Sequence, residues 1–141
     1  MRRSICVLLI CSLLLSITPA HAADVSAGVG TFRVTTTVLH RGGGQVGAEK
    51  VFQFLGSNGE IIWKVTLSGI FSFNGYSATC TSASAVSTVY SGNWSESANN
   101  TYPSGNQAIA NVTMVRKILF IVVQTEIANL VITCDKDGNI T

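Results

Sequence analysis

From Ile61 to Phe73 the chain alternates between large apolar and mostly polar side chains. The odd positions read Ile, Trp, Val, Leu, Gly, Phe and Phe; the even ones are mostly Lys, Thr and Ser, with Ile62 and Ile70 as exceptions. A period of two places one face of a long β-strand in a core and turns the other to solvent. Asn74-Gly75 follows directly, a pair suited to the positive φ angles of a type I′ turn. A two-residue loop there sets Phe73 against Tyr76, Phe71 against Ala78 and Gly69 against Cys80, all on the buried face. Gly69 then either makes room for the Cys80 sulfur or marks a β-bulge.

Thr31–Leu39 is rich in Thr and Val and reads as an early strand. Arg41–Gly47 reads as a flexible, glycine-rich connector. Val51–Leu55 is a short strand, which Gly56-Ser57-Asn58-Gly59 turns into the long one. Alternation resumes over Ala108–Val115, with Ala108, Ala110, Val112 and Met114 on one face, and over Val122–Cys134, where Ala128, Leu130, Ile132 and Cys134 share a face. The whole span is too long for one strand, so a hairpin is expected near Arg116–Phe120 although no Gly, Pro or Asn marks it. Ser91–Gln107 is polar and loop-like, with Trp94 and Tyr102 inside it. The expected fold is all-β: a disulfide-stapled antiparallel β-sandwich of about seven strands, with a small β-barrel as the alternative.

The N-terminus carries an export signature. A basic Met1-Arg2-Arg3 precedes an apolar run, Ile5–Ile17, and a small-x-small Ala20-His21-Ala22 site. This predicts a signal peptide over residues 1–22, cleavage near Ala22-Ala23, and a single secreted, extracytoplasmic β domain over 23–141. Cys6 and Cys11 leave with the signal, so Cys80 and Cys134 are expected to pair in an oxidising compartment. Closing that loop contributes about 4 kcal/mol in the chain-entropy model. Without Arg2 and Arg3 the basic and acidic residues balance at seven each. Scattered charge of that kind gives no nucleic-acid footprint, and membrane contact is not expected from it.

Gly69-Ile70-Phe71-Ser72-Phe73-Asn74-Gly75, Ala78-Thr79-Cys80-Thr81, Trp94, Gly105-Asn106-Gln107-Ala108 and Thr133-Cys134 occur together. In these marks the chain, from about Trp63 onward, resembles a loose group of small secreted bacterial proteins of unknown function. The resemblance implies a bacterial secreted β-domain. It brings no activity, ligand or catalytic residue with it.

Catalytic constellations are sparse. His40 is the only histidine past the signal, no Gly-x-Ser-x-Gly elbow occurs, and the cysteines are committed to a bridge. Glu60, Glu96 and Glu126 occupy ordinary turn and strand positions, so neither an enzyme nor a cofactor or metal is expected. Asp135-Lys136-Asp137-Gly138-Asn139 has part of a calcium-loop pattern but reads more simply as a turn. The candidate ligand-binding residues are Trp94, Tyr102, Asn93 and Asn99, aromatics among amides of the kind that suits a glycan or a surface protein. Packing of Trp94 over one end of the sandwich is the favoured reading of that residue. The last feature, Ile118–Val123 behind Arg116-Lys117, is expected to be core or edge; exposed at a hairpin tip, it would make the protein membrane-active or toxin-like.

Overall fold

The computed structural model describes residues 30–141; the expected signal peptide and its cleavage site lie outside the described residues. Seven strands follow in chain order: β1 (Thr31–Gly42), β2 (Gln45–Leu55), β3 (Ile61–Phe73), β4 (Ala78–Val89), β5 (Trp94–Ser104), β6 (Gln107–Ile118) and β7 (Ile121–Thr133). They form two antiparallel sheets, β1-β2-β3-β4 and β5-β6-β7, without closing into a barrel. The sheets stack with β4 against β5 and β6, β3 against β6 and β7, and β2 against β7.

Alternation decides which residues fill the space between them. Trp63, Val65, Leu67 and Phe71 of β3 meet Ala108, Ala110, Val112 and Met114 of β6 and Ala128, Leu130 and Ile132 of β7, all buried. Gly69 belongs to this face for a packing reason: a Cβ there would stand 2.8 Å from the Phe71 ring and 3.0 Å from the Ala108 Cβ of the opposing sheet. A four-stranded layer over a three-stranded one leaves β1 exposed along its length. Phe32, on the inner side of β1, still packs on Phe52 and Phe54, with centroids 5.0 and 5.4 Å apart.

Three sequence expectations need correction. The β3–β4 loop holds four residues, so Phe73 pairs with Ala78, Phe71 with Cys80 and Gly69 with Ala83. Tyr76 is therefore in the loop and 92% exposed. Asn74 explains the longer turn, because its Oδ1 accepts from the Tyr76 and Ser77 amides at 3.0 and 2.9 Å. A bulge at Thr81 restores the face: below it Cys80 points inward, above it Ala83 and Ala85 do. The glycine connector is a tight hairpin, with only Gly43 and Gly44, at φ 59° and 74°, between β1 and β2. Ser91–Gln107 is mostly strand β5, a sheet edge; its polar surface and Pro103 suit an edge that must not recruit further strands.

Candidate functional site

The two ends of the sandwich differ in how they are built. At one end, cross-links tie four chain segments together. Phe73 N–H donates to Gly44 O at 2.8 Å, Gly75 N–H to Lys136 O at 2.9 Å, and Cys80 N–H to Gly105 O at 2.7 Å. Cys134 N–H donates to Asn106 O at 3.0 Å, and the Asn106 amide returns a bond to Cys134 O at 2.8 Å. Both cysteines thus flank the β5–β6 turn, one from each sheet. They are buried free thiols in this structure. Burial pushes both thiols above their ordinary range; at Cys134 the Asp135 carboxylate and, more weakly, Cys80 add to it. The Asp135 turn is closed on itself: its carboxylate accepts from Asp137 N, Asn139 N and Asn139 Nδ2, which lowers its pKa.

At the other end stands the β6–β7 tip. Lys117 pairs with Val122 and Ile118 with Ile121, leaving Leu119-Phe120 as a two-residue loop. Both loop residues have positive φ, 48° and 68°, as a type I′ turn requires. Leu119 is 85% and Phe120 98% exposed, and Ile118, Ile121, Val122 and Val123 are exposed beside them. This corrects the expectation that Ile118–Val123 is buried as core or sheet edge. Its physical reason is that β6 has no β5 partner beyond Arg116, where the β6–β7 register also slips, so the end of the hairpin pairs only with itself.

Just inside the tip, a rung of sheet β5-β6-β7 faces the β2–β3 turn. Trp94 pairs with Arg116, and Arg116 with Gln124. These side chains, with Asn93, Phe54 and Glu60, line a pocket of about 360 Å³. Glu60 Oε2 accepts from the Asn58 amide at 3.1 Å. Among the described residues Arg116 and Glu60 form no ion pair with each other. Aromatic rings form the apolar floor: Trp63 stacks on Phe54 and Phe52 at 5.2 and 5.7 Å, and Trp94 packs on Phe54 and Trp63 at 5.3 and 5.9 Å. Trp63 Nε1 is buried without a hydrogen-bond partner among the described residues.

The sequence-chosen ligand residues are not gathered by this geometry. Trp94 is 9% exposed and belongs to the aromatic cluster, as its packing reading expected. Tyr102 lies eight residues along β5, about 25 Å away at strand rise, and pairs with Ile109 on the outer face. Asn93 has φ 76° in the β4–β5 turn, where its carbonyl accepts from Lys117 N at 2.8 Å. Asn99 ties the sheets together by donating to Ala85 O at 3.1 Å. Of the titratable candidates, Glu60 lines the pocket. Glu96 accepts from Ser87 Oγ on the β4–β5 flank, Glu126 accepts from Gln124, and His40 lies on exposed β1. Sequence reading missed Arg116 and Gln124, whose pairing across a hairpin becomes visible only once the turn is placed at Leu119-Phe120. No protein-family model, curated protein or solved structure matches this chain.

Proposed function

We propose that this is a non-catalytic, exported interaction module that docks on a lipid bilayer through the β6–β7 tip. The observation that carries the reading is the occupancy of the turn. A left-handed backbone costs a non-glycine residue about 1–2 kcal/mol, and here two bulky apolar residues both adopt it in full exposure. Neither folding nor solubility accounts for that choice. Sinking Leu119 and Phe120 into hydrocarbon returns about 1.5–3 kcal/mol each. Arg116 and Lys117 directly behind the tip add attraction to lipid phosphates, the second signal that peripheral anchoring needs. A glycan platform on Trp94 is less well supported, since the indole is covered by Phe54 and Trp63.

The same reading includes export and a Cys80–Cys134 bridge formed afterwards, stapling one sheet to the other beside the β5–β6 turn. Support for the bridge comes from both thiols being buried on either side of Gly105-Asn106. Vesicle co-sedimentation tests the docking. Wild type should pellet with phospholipid vesicles, and the double variant Leu119→Ser, Phe120→Ser should remain in the supernatant with an unchanged melting curve. Equal sedimentation of the two, or none by wild type, removes the bilayer reading; binding by wild type to a protein partner instead would assign the tip to that partner.

A further inference from the structure

We infer that the pocket behind the tip seats the headgroup of a phosphoethanolamine lipid, with its phosphate on Arg116 and its ammonium on Glu60. This rests on the bilayer reading of the tip. Three observations point to a zwitterion.

First, the pocket holds one cation and one anion that are not paired with each other among the described residues. Opposite charges left apart in one concavity match a ligand carrying both signs, whereas a simple anion would meet repulsion from Glu60. Second, about 360 Å³ lies at the small end of ligand sites, sized for a headgroup more than for a whole amphiphile. Third, the position along the hairpin agrees. Arg116 stands three residues before Leu119, about 10 Å at strand rise. The polar layer on each side of a bilayer is roughly 5–8 Å thick. A tip whose loop enters the hydrocarbon therefore brings the Trp94–Arg116–Gln124 rung to the level of the headgroups.

The choice of a primary over a quaternary ammonium follows from the walls. A trimethylammonium is recognised by open aromatic faces. Here the Trp94 and Phe54 rings are packed on each other and on Trp63, and the anionic feature on offer is a carboxylate, which accepts hydrogen bonds from an –NH₃⁺.

The test compares the full exported chain with Glu60→Gln, which keeps an oxygen for the Asn58 amide, and with Arg116→Gln. Adding phosphatidylethanolamine to phosphatidylcholine vesicles should raise wild-type affinity about tenfold, the scale of one charge-assisted hydrogen bond. Glu60→Gln should lose that gain, yet bind phosphatidylglycerol vesicles at least as well as wild type. A cationic collar without a headgroup site predicts instead that Glu60→Gln improves binding to every vesicle. Arg116→Gln should weaken binding to all of them. In a separate arm without lipid, soluble phosphoethanolamine should shift the Trp94 indole resonance, and inorganic phosphate should shift it less. No ethanolamine preference, or a Glu60→Gln effect equal on both vesicle types, overturns the pocket assignment while leaving the tip reading intact. Failure of wild type to bind any vesicle removes the tip reading, and an unshifted Trp94 resonance with phosphoethanolamine then removes the pocket too.

Discussion

The β3–β4 and β6–β7 hairpins face the same task at opposite ends of the molecule and solve it with opposite chemistry. Asn74-Gly75-Tyr76-Ser77 uses a side-chain acceptor for two loop amides and a glycine at φ 84°. Leu119-Phe120 supplies no side-chain hydrogen bond and no glycine, although both of its residues need positive φ. The first turn is built from residues that favour it and is tied by Gly75 N–H to Lys136 O; the second is built against local preference. Where a sequence forgoes an available local optimum, the side chains there are serving something other than the turn.

Three experiments, at one end and the other, test this comparison. The largest effect is expected from removing the two cysteines proposed to form a bridge. Under oxidising conditions Cys80→Ala with Cys134→Ala should lower unfolding stability by about 4 kcal/mol, read from denaturant midpoints. The same pair of changes under a reductant should cost far less; equal costs in the two conditions would mean that no bridge forms. Exchanging the open turn comes next. Leu119→Asn with Phe120→Gly should stabilise the fold by about 2 kcal/mol, through relief of left-handed strain, while abolishing vesicle binding. Stabilisation with binding retained would show that the apolar pair is not the anchor. Smaller again is Asn74→Ala, expected to cost about 1 kcal/mol for the lost capping of two amides. A cost near zero would mean that Gly75 alone sets that turn.

Much of the fold is legible in the sequence because inner faces alternate. Trp63 to Phe71, Ala108 to Met114 and Ala128 to Ile132 keep the parity that their side chains announce. What was hidden has two physical sources. A polar edge strand such as β5 buries only Trp94 along its length, so it lacks the hydrophobic period that distinguishes strand from loop. Bulges are the other source. Thr81 shifts the pairing of β4, and the irregularity after Arg116 shifts β7, yet no residue type at either place signals one. The candidate site was legible only in pieces. Ile118–Val123 stands out by composition, but its exposure depends on β6 and β7 pairing with each other alone beyond Arg116, which is a tertiary fact. Arg116 and Glu60 are far apart in the chain and meet only because the β2–β3 turn and the β6–β7 hairpin emerge at the same end.

The smallest expected effect distinguishes the two redox forms of the tied end by pH. Each thiol has its pKa raised in the folded protein, burial being the first cause at both. A thiol whose folded pKa exceeds its unfolded one is held protonated by the fold, so its contribution is complete below the unfolded value, near 9.0. Above that, the unfolded chain releases its protons first, and stability falls as pH rises toward the folded pKa. The reduced protein should therefore lose stability progressively above about pH 9, and the Cys80→Ala, Cys134→Ala variant should lack this component. A bridged protein has no thiol to titrate and should follow the variant. Denaturant midpoints between pH 7 and 10, with and without reductant, read this directly. A reduced protein whose profile overlays the alanine variant would show that these thiols gain nothing from burial between the β5–β6 turn and the core.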